Sequence, residues 1–239
     1  MNTIEQRTIG EIVANDYRTA QVFKKYGLDF CCGGGRTVAE ACEKKGVDVE
    51  SITNELLMLG ERGGPADNYK DWSPDFLVDY IVNNHHNYVR NKLPEIRAYA
   101  QKVAKVHGRS HPENVEILKR FEALADELTE HLEKEEQILF PYVKLLVDAE
   151  KNGIERKAPH FKTAANPISM MESEHEEAGS GMEEIQALSN NFTPPKDACA
   201  TYRVLYANLK EFQEDLHKHV HLENNILFPK TLELEKRLN

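Results

Sequence analysis

The chain has 239 residues, 40 acidic and 30 basic, with a formal net charge of −10 at pH 7. That charge repels a phosphate backbone, so a small molecule, a metal or a protein is expected as partner and nucleic acid is not. No apolar run approaches the length of a bilayer, MNTIEQRTIGEI lacks the basic and apolar parts of a secretory leader, and four scattered cysteines make no disulfide framework. A cytoplasmic location without membrane attachment is the expectation.

The length suits two domains. Thr8 with Glu11 has the pattern of a capping box, and IGEIVANDYRTAQVFKKYG then carries apolar residues at helical spacing until Gly27, which predicts one first helix. Thr37 with Glu40 repeats the signature in TVAEACEKKG, and DVESITNELLML follows Gly46 with Ile52, Leu56, Leu57 and Leu59 at the same spacing. Residues 1–60 therefore read as a small helical domain. Residues 61–73, which overlap the glycine- and turn-rich GERGGPADNYKDW of 60–72, read as a linker. From Ser73 and Pro74 onward the pattern predicts four long helices near 74–106, 112–150, 167–190 and 196–236, broken at HGRSHPEN, KNGIERKAPHFKTAANP and NNFTPP. The expected class is all-α, an antiparallel four-helix bundle over 74–239 with its site in the middle.

The bundle sequence writes one phrase twice. HLEKEEQILFP spans 131–141 and HVHLENNILFP spans 219–229. Residues four apart share a helix face, so His131 with Glu135 and His219 with Glu223 each present an imidazole beside a carboxylate. A single such pair on a charged helix is usually a surface contact. The second copy, however, keeps His, Glu, Ile, Leu, Phe and Pro in register while discarding Lys134, Glu136 and Gln137, so one face and its packing are retained.

Each copy also has a histidine on the preceding helix. His86 lies 45 residues before His131, and His175 lies 44 before His219. The apolar stripe Val78, Val82, Val89, Ile96 instead puts His85 on the buried face, so His85 and His86 remain alternatives at this point. Two histidines and a glutamate per half is the donor set of non-haem iron with open positions, although zinc or manganese accepts similar donors. Two sets in one core suggest two iron ions about 3.5–4 Å apart, oxo- and carboxylate-bridged, with Glu135 and Glu223 as the bridges. Burying carboxylates in a bundle is costly unless they are paired or bound to metal. His107, His111 and His160 fall in expected loops, His217 and His221 flank His219, and Glu174 and Glu176 flank His175 without an assigned role.

DFCCGGGRTVAE sets Cys31 and Cys32 in tandem before three glycines and a helix start, which fits either a redox thiol pair or a buried structural turn. Adjacent cysteines rarely both ligate one tetrahedral metal, and Cys42 and Cys199 are single.

Together KKYGLDFCCGGGRTVAEAC, HHNYVRNKLPEI, HLEKEEQILFP, MESEHEEAG and HVHLENNILFP resemble, over nearly the whole chain, the RIC proteins, for repair of iron centres, which are hemerythrin-like di-iron proteins. The resemblance implies a hemerythrin-like bundle whose iron ligands are His86, His131, Glu135, His175, His219 and Glu223, with His86 preferred to His85. It implies a protein that repairs iron–sulfur clusters damaged by nitrosative or oxidative stress, by iron donation or by nitric oxide reduction, with Cys31 and Cys32 as auxiliary redox thiols. The implied partners are damaged iron–sulfur proteins and nitric oxide or oxygen as small ligand, with a homodimer as a further expectation. The alternative is a hemerythrin-like protein that binds or senses oxygen or nitric oxide.

Overall fold

The computed structural model describes residues 3–61, 68–153 and 159–238. Residues 62–67 of the expected linker and 154–158 of the KNGIERKAPHFKTAANP loop lie outside the described residues. Among those described, regular structure is helical, with one isolated antiparallel bridge between Thr8 and Thr37. No described helix is long and apolar enough to cross a membrane. Internal contacts divide the chain into two compact units, the first from the described parts of Met1–Val78, Val143–Ala165 and His217–Asn239, the second from Asp79–Tyr142 and Asn166–Leu216.

The first unit begins with α1 (Ile9–Asn15), α2 (Ala20–Lys25), α3 (Val38–Lys45) and α4 (Val49–Glu61). The single first helix expected from the sequence is interrupted. Asp16 takes an extended backbone (φ −152°, ψ 100°), and its carboxylate accepts the Arg18 N–H to cap a short 3₁₀ turn at Tyr17–Thr19. A short acidic side chain that bonds its neighbours' backbone competes with the helix ladder, and apolar spacing cannot reveal that competition. Gly27, at φ +67°, then ends α2 as expected.

Thr37 and Glu40 complete a reciprocal capping box. Thr8 makes only half of one, because it accepts from the Glu11 N–H while the Glu11 carboxylate bonds Arg7 Nε at 3.2 Å. The two caps lie side by side, joined by Ile9 N–H to Arg36 O at 2.9 Å and Val38 N–H to Arg7 O at 3.1 Å. Ile9, Val13, Phe23, Val38 and Ile52 fill the space behind them with no exposure. Each such burial contributes roughly 1.5–3 kcal/mol.

The second unit is built around α6 (Asn87–His107), α7 (Glu113–Lys134), α9 (Ala165–Leu188) and α10 (Ala200–Leu222). The polar contacts give its order. Arg97 to Asp126 and Gln101 to Glu122 join α6 to α7, Tyr88 to Glu211 and Lys92 to Asn208 join α6 to α10, and Gln186 to Gln213 joins α9 to α10. Arg120 to Glu184 and Lys134 to Glu174 join α7 to α9. Along α6–α7, α6–α10 and α7–α9 the numbers rise on one helix as they fall on the other, so these neighbours are antiparallel. This is a four-helix bundle, and Phe121, Tyr202, Leu209 and Phe212 sit fully buried in its centre.

Three π-helical segments interrupt the long helices. Ile81–His86 links α5 (Pro74–Tyr80) to α6, Glu135–Leu139 links α7 to α8 (Phe140–Asn152), and Glu223–Leu227 links α10 to α11 (Phe228–Arg237). The last two precede Pro141 and Pro229 by two residues. Proline has no N–H to give and its ring crowds the carbonyl four residues back, so a widened turn just before it relieves both problems. In the first segment the Asn83 and Asn84 side-chain amides bond the Asp79 and Tyr80 carbonyls, each at 2.8 Å, which inserts side-chain donors into the ladder.

Candidate metal centre

All six expected ligands are buried, and each π segment carries one of them. Glu135 and Glu223 are the first residues of their segments, and His86 is the last of its own. A π turn rotates the side chains that follow it relative to an unbroken α-helix and recurs at functional sites for that reason. The twice-written phrase is thus a twice-built local structure: a histidine in the last turn of an α-helix, a glutamate opening the wide turn, and Phe-Pro resuming the helix.

Four of the six residues belong to the second unit. His131, Glu135 and His175 each bring a ligand atom into a group whose members lie within 4.8 Å of one another. His131 Nε2 and His175 Nε2 are 3.0 Å apart, and the Nε2 atoms of His86 and His131 stand 3.3 Å and 3.4 Å from Glu135 Oε2. Glu135 is entirely enclosed, and neither of its oxygens accepts a hydrogen bond from a described residue. An enclosed carboxylate without donors is expensive, and imidazole nitrogens gathered beside it are the arrangement that a bound cation satisfies.

The remaining nitrogens of two of these rings are held from outside. His86 Nδ1 lies 2.6 Å from Glu136 Oε1, which also takes Arg90 Nη2 at 2.8 Å. His131 Nδ1 lies 2.8 Å from Glu174 Oε2, and Lys134 Nζ bonds the other oxygen of Glu174 at 2.5 Å. Burial pushes the Glu136 and Glu174 carboxyls up, but their hydrogen bonds to His86 and Arg90 and to Lys134 and His131 outweigh it, so both lie below the usual carboxylate range. An ionised carboxylate on Nδ1 fixes the tautomer that leaves Nε2 as a lone-pair donor. The His86 ring also stacks on Phe140.

His85 faces elsewhere. It is buried, but its Nδ1 lies 2.9 Å from Asp215 and its ring meets Tyr80, so the structure brings His86 and not His85 to Glu135. In the first unit His219 Nε2 stands 3.1 Å from Glu223 Oε1, the i,i+4 pairing expected of the repeat.

Glu136 and Lys134 are among the positions that the second copy discards. They are the outer partners of this half of the site. A comparison of repeats reveals shared ligands and hides supports that only one copy uses. Of the unassigned residues, Glu174 is such a support, whereas Glu176 is exposed. His160 is exposed as expected. His107 closes α6 with Nε2 3.2 Å from Cys199 Sγ, and His111 lies between Glu113 and Asp197, whose carboxylates hold its pKa above the ordinary value.

Within the first unit, Cys31 and Cys32 lie on a loop organised by Asp29, with sulfurs 3.9 Å apart. His217 and His221 turn to the same loop, their rings 5.9 Å from that of Phe30. Asn225 Nδ2 donates to Phe30 O at 3.3 Å and Cys31 O at 3.0 Å and stands 3.2 Å from His221 Nδ1. Burial lowers the His221 pKa to about 4, so that ring is neutral.

A buried His/Glu cluster between antiparallel helices defines a metal-binding helical bundle, and family comparison agrees. Residues 77–231 match the hemerythrin HHE cation binding domain, and residues 5–59 match ScdA_N, a domain of unknown function (DUF542). A probable iron-sulfur cluster repair protein of Haemophilus influenzae is 37% identical over 230 residues, covering 95% of this chain and 97% of the relative. The iron-sulfur cluster repair proteins YtfE of Citrobacter koseri and of Escherichia coli O17:K52:H18 are 38% and 39% identical, over 96% and 94% of this chain and 98% and 96% of theirs. The chain belongs to this family of hemerythrin-like iron–sulfur cluster repair proteins.

Proposed function

We propose that His86, His131, Glu135, His175, His219 and Glu223 together hold two iron ions, with Glu135 and Glu223 as bridging carboxylates, and that the protein uses this centre to repair iron–sulfur clusters damaged by nitrosative or oxidative stress. The carrying observation is the fully buried Glu135 carboxylate, which no described donor satisfies and on which the Nε2 atoms of His86 and His131 converge. The cation-binding family match spans all six residues. Nitrogen and carboxylate donors suit iron with positions left open. When bound, iron supplies exchangeable sites for nitric oxide or oxygen and a supply of metal for a damaged cluster.

The chain's own groups perform the positioning. Glu136 and Glu174 orient His86 and His131, and Phe140 walls one side of the His86 ring. Residues 1–60 carry the cysteine pair and serve the same repair, and the protein works in the cytoplasm.

The reading is tested by elemental analysis and anaerobic visible spectroscopy of the purified protein, followed by cluster-restoration assays. About two irons per chain, with bands that change on reduction and on addition of nitric oxide, is the expected result. His131→Ala and Glu223→Ala should each abolish restoration. Stoichiometric zinc in place of iron, or restoration undiminished in either variant, overturns the proposal.

A further inference from the structure

We propose that Cys31 and Cys32, on the loop fixed by Asp29, form a second metal site for one thiophilic divalent cation of the ferrous or zinc type, separate from the His/Glu centre. The juxtaposition of the two sulfurs carries the inference. Their separation of 3.9 Å is far outside a disulfide. It is close to the edge of a tetrahedron around a metal with bonds to sulfur of about 2.3 Å, which is about 3.8 Å. Asp29, Cys31 and Cys32 each offer a ligand atom within 4.8 Å of the others.

The loop is held in that shape before any ion arrives. Asp29 Oδ1 accepts the N–H groups of Cys31 at 2.9 Å and Cys32 at 3.2 Å, and Oδ2 accepts that of Gly33 at 2.7 Å. A Cβ on Gly33 would stand 3.0 Å from Oδ2, so glycine permits this close approach of carboxylate and backbone. From the far side, Asn225 grips the carbonyls of Phe30 and Cys31. Held by these bonds, the loop needs little reorganisation to bind an ion.

The charge balance is also explicit. The Cys31 S–H points at Asp29 Oδ1, 3.1 Å away, and Cys32, burial and Asp29 all push the Cys31 thiol well up, so without metal it keeps its proton. On binding, each sulfur forms one bond to the ion and yields one proton, Cys31's by way of Asp29 and both finally to solvent, with no change of oxidation state. Cys31 is enclosed and Cys32 is partly exposed, so the ion enters from the Cys32 side and keeps solvent positions open.

The test uses the full-length, iron-loaded protein under anaerobic reducing conditions, titrated with cobalt(II) as probe. A sulfur-to-cobalt charge-transfer band that saturates at one equivalent, and that zinc then displaces, is expected. Cys31→Ser and Cys32→Ser should each remove the band without lowering the iron content, and Asp29→Asn should weaken the site ~10-fold or more. Cys199→Ser, which alters a thiol remote in sequence, should leave the band unchanged. Cys32→Ser alters the more exposed sulfur and carries the test if Cys31→Ser does not fold. Absence of the band in the wild type, its survival in Cys32→Ser, or its loss in Cys199→Ser overturns the proposal. None of these outcomes depends on whether the protein repairs clusters.

Discussion

HLEKEEQILFP and HVHLENNILFP build the same structure toward the interior and different structures away from it. Both place a histidine in the last turn of a long helix, open a five-residue π segment with a buried glutamate, and close on Phe-Pro. Away from the ligands, the first copy carries Glu133 and Gln137, both exposed. The same positions of the second copy are His221, fully buried against Tyr17 and Phe30, and Asn225, bonded to the cysteine loop. One face of the phrase is set by metal chemistry and is held constant. The other is set by its neighbour, solvent in one case and the Cys31–Cys32 loop in the other. Where a repeat breaks its own pattern, the break marks what lies outside.

The comparison predicts that the inner faces are equivalent. Glu135→Ala and Glu223→Ala should each reduce bound iron from about two per chain to below one, measured by elemental analysis of protein purified anaerobically. A variant that kept both ions would show that the copies are not functionally alike. Next in size are the outer carboxylates of the first half. Glu136→Gln and Glu174→Gln should each weaken iron binding ~10- to 100-fold in a chelator competition, because each fixes the ring whose Nε2 faces the centre. Unchanged affinity would mean that packing alone orients His86 and His131.

The inner face was legible from the sequence because its information is local and written twice: His131 and Glu135 share a helix face by spacing, and the second copy repeats the pair. The four-helix class followed from long apolar periodicity and clear breaks. What the residues alone left open depends on neighbours distant in the chain. His85 and His86 are one residue apart and both buried, and the choice between them lies in a π segment and in Asp215 on α10. Glu174 acts on His131, 43 residues away, and nothing in the local pattern signals that pairing. Asp16 divides the first helix through its own carboxylate, which an apolar stripe does not register.

The outer face offers smaller and sharper tests. A Cβ on Gly10 would lie 2.1 Å from Asn225 Oδ1, so Gly10→Ala should cost roughly 1–3 kcal/mol by overpacking, read from chemical denaturation. Removing the obstructing amide should relieve most of that. In an Asn225→Ala background Gly10→Ala should be close to neutral, since the remaining contact, Gly34 O at 3.0 Å, is partly offset by the better helix propensity of alanine. Additive costs would mean that Asn225 does not occupy the space between the helix and the loop.

Last in size comes the direct contrast between equivalent positions. Asn225→Ala leaves the Phe30 and Cys31 carbonyls without their amide donor and should cost about 1–2 kcal/mol. Gln137→Ala, at the same place in the solvent-facing copy, should stay within about 0.5 kcal/mol of wild type. Equal costs would mean that the two copies face alike and that the departures from the repeat carry no structural meaning. A large cost for Asn225 alone would show that the second helix holds the cysteine loop with a residue two positions from Glu223. The same short π segment would then bear a candidate iron ligand on one side and the anchor of the thiol loop on the other.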